Sequence, residues 1–232
     1  MQYSIDSESL RNWIDRENKR IFKDEKNRGA IIPIRNEGKK GYTKEYLKKV
    51  LEYFKQILDA VKYYQSFDPP VTHRNLKPEN ILYDGKYTFL ISDFDFDVGH
   101  VYDNFRSLTR TRAIYSAPEL LDRSQCTKTV DYYPLGIILF EMLFPLQERE
   151  DFLEEKVELL RKGNTADPCE EMYHSLPRLC SLITRMLSPA QSRPGLSEII
   201  LMIDSEIGGD NMEIRNTNKT ILKLYFQSFA LF

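Results

Sequence analysis

Most apolar residues of this chain recur at the three- and four-residue spacing of an amphipathic helix. The first such stretch contains Leu10, Trp13 and Ile14. Ser7 and Ser9 lie just before it, and the side-chain oxygen of either residue can accept a hydrogen bond from the first turn of a helix. The spacing therefore predicts a helix near the beginning of the sequence.

A charged stretch and a second, longer helix follow. Residues 17–42 carry many charges together with glycines and a proline, which predicts a loop or a mobile insert. From Thr43 onwards a single apolar stripe predicts a long helix, and Pro69 and Pro70 are expected to end it. The stripe consists of Leu47, Val50, Leu51, Phe54, Ile57, Leu58 and Val61.

The helical pattern is interrupted by two short runs rich in β-branched and aromatic residues, at 81–83 and 87–91. The Asp84-Gly85 pair between them is a turn signal for two antiparallel strands. The sequence therefore predicts one short hairpin in a chain that is otherwise mainly α-helical.

The second half of the chain again favours helices. Asp131 can cap a helix that is apolar nearly all round, which indicates burial on every side. Pro134 falls in its first turn, where the missing N–H group costs little. Further helices are predicted at 148–162, around 179–187 and at 197–207.

Composition narrows the class of protein. A chain of 232 residues can form one large domain or two small ones, and a hydrophobic fraction of 41% is enough for a packed core. The formal net charge of −2 gives no electrostatic reason to expect nucleic acid or an anionic membrane as a partner. The three cysteines lack the spacing of metal ligands, which predicts a reducing, cytoplasmic environment and no metal site. No apolar run is long enough for a membrane span.

Four motifs occur in a fixed order along the chain. The stretch "HRNLKPEN" (73–80) precedes the hairpin, the hairpin runs into "DFD" (93–95), "APE" (117–119) follows, and Asp131 then opens the buried helix. This arrangement resembles the C-terminal lobe of a eukaryotic protein kinase. The stretches "MQYSIDSESLRNWID", "DYYPLGIILFEMLFPL" and "MLSPAQSRP" are most similar to the kinases of the translation initiation factor 2 α subunit.

The resemblance implies a fold and a domain organisation. Residues 1–207 are expected to form the hinge and C-terminal lobe of a kinase-like α+β fold, followed by an apolar tail at 208–232. The sequence contains no Gly-x-Gly, the start of the loop that covers the ATP phosphates in kinases. We therefore expect the N-terminal β lobe to be absent.

The resemblance also indicates which chemistry has changed. In kinases an aspartate at the position of Asn75 accepts the proton of the substrate hydroxyl, and a neutral amide cannot replace it. Lys77 and Asn80 occupy positions that contact the transferring phosphate and a metal, and Asp93 occupies the position of the main magnesium ligand. Here we expect Lys77 and Asn80 to stabilise the conformation of the loop at 73–80, and Asp93 to form hydrogen bonds with nearby backbone groups. These positions predict a pseudokinase with absent or weak binding of ATP and Mg²⁺.

Other matched positions have structural roles in the family. The resemblance implies that Glu119 pairs with Arg193 and that Asp131 anchors the backbone of the loop. It also implies that His73 is a packing residue rather than a base. We also expect Arg74, the next residue, to have a structural role. Such contacts can persist in an inactive domain, because removing one partner leaves a buried charge unpaired.

These observations predict a catalytically inactive kinase-like module that binds other proteins. The helix at 148–162 docks the initiation factor in this kinase family, which makes Phe152, Glu154 and Glu155 the candidate partner-binding residues. The expected partner is the initiation factor 2 α subunit or the N-terminal lobe of a kinase. Two alternatives are a truncated or fragmentary product of a kinase gene with residual ATP-dependent phosphotransferase activity, and a non-functional relic.

Overall fold

The computed structural model describes residues 8–22, 44–84, 88–94, 114–121, 127–144, 149–162 and 176–208. Three strands in these ranges form one small antiparallel sheet: β1 (Glu8–Ser9), β2 (Ile81–Tyr83) and β3 (Phe89–Ile91). The α-helices in these ranges are α1 (Leu10–Phe22), α2 (Lys44–Tyr64), α3 (Pro118–Leu121), α4 (Tyr132–Leu143), α5 (Arg149–Arg161), α6 (Pro177–Met186) and α7 (Leu196–Ile207). Short 3-10 helices lie at Pro78–Asn80, Lys128–Asp131 and Ala190–Ser192.

This architecture confirms the predicted mainly helical class with a small β-hairpin. The hairpin strands pair in the register Ile81↔Ile91, Leu82↔Leu90 and Tyr83↔Phe89, while residues 85–87 of the predicted turn lie outside the described residues. Strand β1 was not predicted. It pairs with β2 through only two residues, which is too short to carry an alternating apolar pattern.

Two helix ends differ from the sequence expectations. Helix α1 is capped as predicted, because the Ser9 Oγ atom accepts a hydrogen bond from the Asn12 N–H group at 3.2 Å. It continues to Phe22, so the prediction of a loop from residue 17 is wrong. Lysine, arginine and glutamate favour helices, which explains the extension, and the remainder of the predicted insert at 23–42 lies outside the described residues.

Helix α2 ends at Tyr64, well before the two prolines that were expected to end it. The last turn is closed locally, because the Ser66 hydroxyl donates a hydrogen bond to the Tyr63 carbonyl oxygen at 2.7 Å. Residues 65–70 thus form the exit from the helix rather than its final turns. The predicted tail beyond Gly208 lies outside the described residues.

The core is built around α4, whose twelve residues are all buried, as its uniform apolar pattern predicts. Helices α6 and α2 pack against it, and α7 and β3 pack against α2.

No helix in the described parts of the chain is long and apolar enough to cross a membrane. The close approach of α6 to α4 occurs at Gly136, where an added Cβ atom would lie 2.9 Å from the Cβ atom of Met186.

We predict that Gly136→Ala destabilises the protein by about 1–3 kcal/mol, because the new methyl group overpacks the contact between α4 and α6. The expected fall in Tm is about 3–10 °C, measured by differential scanning calorimetry. Gly195→Ala is the matched control, because a Cβ atom there meets nothing within 4 Å. Equal Tm values for the two variants would contradict the predicted contact.

Candidate functional site

The candidate site lies where residues 71–80, the end of β3 and the start of α4 meet. Its centre is the fully buried carboxylate of Asp131. The Oδ2 atom accepts a hydrogen bond from the His73 backbone N–H group at 2.9 Å, and the Oδ1 atom accepts one from the Arg74 N–H group at 2.9 Å. Asp131 lies at the N-terminus of α4 but its side chain does not cap the helix, contrary to the sequence prediction, because both oxygens bind the loop.

Two residues at the end of α2 complete the surroundings of this carboxylate. The Tyr64 hydroxyl donates to Asp131 Oδ2 at 3.0 Å, and the Gln65 Nε2 atom donates to it at 3.4 Å. Burial and the Asp131 charge raise the pKa of Tyr64, so the hydroxyl stays protonated and remains a donor. The Tyr132 hydroxyl in turn donates to Gln65 Oε1 at 2.8 Å. The buried charge is therefore fully hydrogen-bonded, which is the condition for its stability.

His73 is held in one tautomer by its two ring contacts. Its Nε2 atom lies 2.8 Å from the Ser92 carbonyl oxygen and must carry the proton. Its Nδ1 atom accepts a hydrogen bond from the Asn75 backbone N–H group at 3.2 Å. Both ring nitrogens are thus engaged, and the ring is fully buried. His73 has the environment of a structural residue rather than that of a general base.

Asn75, Lys77 and Asn80 form the turn that follows. The Asn75 side-chain Nδ2 atom donates to the Asp93 carbonyl oxygen at 3.4 Å. The Asn80 Nδ2 atom donates to the Asn75 carbonyl oxygen at 2.8 Å, and its backbone N–H group donates to the Lys77 carbonyl oxygen at 3.0 Å. The Asn80 side chain therefore holds the turn closed, and half-buried Lys77 contributes through its backbone.

Asp93 follows β3 in an unusual backbone conformation. Its φ angle is 59°, and Arg74 in the loop has a φ angle of 63°, both in the left-handed region that residues other than glycine seldom adopt. The next ring, Phe94, packs on His73 at 4.3 Å between centroids and edge-on against Tyr64 at 5.2 Å. The Asp93 carboxylate is exposed, and among the described residues only its carbonyl oxygen, rather than its side chain, is hydrogen-bonded to the loop.

A second polar cluster, which we call the Arg11 cluster, consists of Arg11, Glu79, Tyr115 and Glu141. The buried Arg11 guanidinium donates to both Glu141 oxygens, at 2.8 and 3.0 Å, to Glu79 Oε1 at 3.0 Å and to the Tyr115 hydroxyl at 2.8 Å. Burial alone would lower the pKa of Arg11, but the interactions with Glu141, Tyr115 and Glu79 together outweigh burial and raise it. Sequence reasoning missed this cluster, since each member looks like an ordinary polar residue within its own segment.

Glu119 and Arg193 form the buried pair that the resemblance implies. The Arg193 Nη2 atom donates to Glu119 Oε2 at 2.8 Å, and Nη1 contacts Oε1. Arg193 also donates to the carbonyl oxygens of Ser188 at 2.8 Å and Thr129 at 3.1 Å. Its guanidinium lies 5.2 Å from the ring centroid of Tyr133 on α4. One arginine therefore joins α3 to α4 and to the segment before α7.

The partner-binding candidates lie on a separate helix, α5. Its buried face is formed by Leu153, Val157 and Leu160, while Glu154 and Glu155 are exposed. The side chain of Phe152 lies outside the described residues. The structure thus brings the loop residues, Asp93 and Asp131 into one site and places the acidic pair elsewhere. Within the described residues, no group of three or more His, Cys, Asp or Glu side chains is arranged to hold a metal ion.

Comparison with known proteins places this sequence in a family. The family model described as the protein kinase domain matches residues 15–202. The chain is 31% identical over 163 residues, 69% of its length, to a protein of Enterocytozoon bieneusi named as a KIN1 homolog among serine/threonine-protein kinases. It is 35% identical over 95 residues, 40% of its length, to the serine/threonine-protein kinase Sgk1 of Xenopus tropicalis.

A third relative, from Acanthamoeba polyphaga mimivirus, is named as a serine/threonine-protein kinase/receptor and is 27% identical over 152 residues, 63% of this chain. The matched parts cover only 9% of the viral protein, 26% of the Enterocytozoon protein and 22% of Sgk1. The chain therefore spans a small part of the length of the curated relatives it matches.

We predict that Asp131→Asn lowers the free energy of unfolding by about 2–4 kcal/mol, because an amide NH₂ group would face one of the loop N–H groups. Chemical denaturation followed by tryptophan fluorescence measures the change. Asp59→Asn is the matched control, because Asp59 forms a half-buried ion pair with Lys55, and its loss should cost no more than about 1 kcal/mol. A similar loss in both variants would show that Asp131 does not have this anchoring role.

Proposed function

The chain belongs to the protein kinase domain family, and we propose that it is a catalytically inactive member that acts by binding other proteins. The observation that carries the proposal is Asn75. It occupies the proton-acceptor position of a loop whose other contacts are complete. Phosphoryl transfer to a hydroxyl group is assisted there by an aspartate, and removing a general base costs roughly 10²–10⁴ in rate.

The described residues of the loop offer no clear replacement for the missing base. The Asn75 amide is neutral, and its NH₂ group is directed at the Asp93 carbonyl oxygen. His73 has both ring nitrogens engaged. Glu79, the carboxylate within residues 71–80, is engaged with the Arg11 guanidinium in the Arg11 cluster.

Nucleotide binding is proposed to be absent or weak. Asp93 and Asn80 carry oxygen atoms of the kind that Mg²⁺ prefers, and Lys77 carries a cation, so these residues would hold a metal-bound nucleotide. The bound nucleotide would supply the phosphoryl group. Weak binding by these residues alone is expected, because a nucleotide held only by them would remain largely exposed to water.

A second candidate function is phosphotransferase activity within a longer protein. It is favoured by the ordered loop, by Phe94 packed inward on His73 and by relatives that are named as serine/threonine-protein kinases. Lys77, Asn80 and Asp93 are all present at their family positions. The absence of a base at residue 75 is the reason why we rank this candidate second.

The proposed partner surface is the exposed acidic part of α5. Glu154 and Glu155 project from a helix that is attached to the core by its apolar face, so their charges are accessible to a basic partner surface. The sequence resemblance supports two partners, the α subunit of translation initiation factor 2 and the N-terminal lobe of a kinase. Binding of either would modulate translation-control signalling in the cytoplasm.

We predict that the purified chain transfers no phosphate from ATP to initiation factor 2 α, because no base is available at residue 75. Radiolabelled ATP with Mg²⁺ gives the measurement, and the Tm should not rise by several degrees at millimolar ATP. Transfer that Asp93→Ala abolishes would establish the phosphotransferase candidate instead.

We predict that the double charge reversal Glu154→Lys, Glu155→Lys weakens partner binding at least about tenfold while leaving the fold intact, because exposed substitutions seldom change stability by more than about 0.5 kcal/mol. Isothermal titration of initiation factor 2 α, and separately of a kinase N-terminal lobe, measures the effect. Glu198→Lys on α7 is the control for an exposed charge reversal on another helix. If neither protein binds the wild-type chain, the partner assignment is wrong.

A further inference from the structure

The side chain of Asn75 makes a contact that an ionised aspartate cannot make. Its Nδ2 atom donates a hydrogen bond to the Asp93 carbonyl oxygen, 18 residues further along the chain. A carboxylate has no proton to donate at neutral pH, whereas an amide has two. We infer that Asn75 is a positioning residue, which ties the backbone of Asp93 to the loop through its amide group. This inference does not depend on whether the chain is catalytically active.

The Asn75 hydrogen bond completes a closed set of contacts between the loop and the end of β3. The Ser92 N–H group donates to the Asn80 carbonyl oxygen at 2.9 Å, and the Asn80 side chain donates to the Asn75 carbonyl oxygen at 2.8 Å. The Asn75 side chain then returns to Asp93, the residue after Ser92. Hydrogen bonds thus link Asn75, Asn80, Ser92 and Asp93. The contact from the Asn75 side chain to Asp93 requires a hydrogen-bond donor at residue 75.

The Asn75 hydrogen bond acts on a residue, Asp93, whose backbone conformation is unfavourable. Asp93 has a φ angle of 59°, and such a conformation persists in a residue other than glycine only where its surroundings hold it. His73 holds the preceding carbonyl oxygen of Ser92 at 2.8 Å, and Asn75 holds that of Asp93 at 3.4 Å. Consecutive peptide groups are therefore fixed by two side chains of the same loop. The Asn75 contact is the longer one, so it should stabilise local geometry rather than the whole fold.

The substitutions Asn75→Asp and Asn75→Leu distinguish the effect of losing the hydrogen-bond donor from the effect of adding a negative charge. Both side chains are close in size to asparagine and neither can donate the hydrogen bond, but only the first adds a negative charge. Asn75 is half-buried at a loop surface, so both variants should fold. Asn12→Asp is the matched control, because it adds the same charge at an exposed residue of α1.

Hydrogen exchange by NMR on the full chain is the experiment. The amides of Ser92 and Asn75 should exchange about two- to tenfold faster in both Asn75 variants, which corresponds to the loss of one ordinary hydrogen bond. The amides of α4 should be unchanged, and the three-bond HN–Hα coupling of Asp93 should move away from its wild-type value because its φ angle is released. Asn12→Asp should leave all these values unchanged.

Three results would overturn the inference. An unchanged exchange rate of the Ser92 amide in both Asn75 variants would show that the Asn75 hydrogen bond does not stabilise this backbone. Faster exchange in Asn75→Asp alone would assign the effect to charge rather than to the lost donor. Equal acceleration at Ser92 and throughout α4 would show a general loss of stability instead of a local positioning role.

Discussion

The buried carboxylate of Asp131 is the contact on which the candidate site depends. It joins the N-terminus of α4 to two consecutive backbone N–H groups of the loop, those of His73 and Arg74, and to the end of α2 through Tyr64. A buried charge is tolerated only when it is fully hydrogen-bonded, so the loop cannot move away without exposing or orphaning this group. The left-handed conformation of Arg74 is one consequence, since its N–H group must face the carboxylate.

The same reasoning explains how the loop can remain ordered without a base at residue 75. Its shape is set by Asp131, by the fixed tautomer of His73 and by the Asn80 side chain, and none of these contacts requires a substrate. The Arg11 cluster and the Glu119–Arg193 pair tie the neighbouring segments to α4 in a similar way. Removing one partner from such a buried pair is strongly destabilising, so we expect these residues to stabilise the fold whether or not the domain is an enzyme.

Local sequence rules were reliable where one segment decides its own structure. The Ser9 cap, the hairpin strands β2 and β3, Pro134 in a first turn and the fully buried α4 all follow from periodicity and terminal residues. These rules were wrong where a group that is distant in the sequence competes for the same side-chain oxygens. Asp131 precedes α4 at the position of a helix cap, yet its side-chain oxygens accept hydrogen bonds from the His73 and Arg74 N–H groups of the loop.

The sequence by itself determined the order of the longer helices and of the hairpin strands, the kinase-like motifs and the neutral amide at residue 75, because each is a property of residues near one another in the chain. Only the tertiary structure decided which polar groups share one environment. Arg11 and Glu141 are 130 residues apart, and Asn75 reaches a carbonyl oxygen 18 residues away. No periodic pattern encodes such contacts, since they form when the packing of whole helices excludes water and leaves those groups only one another as partners.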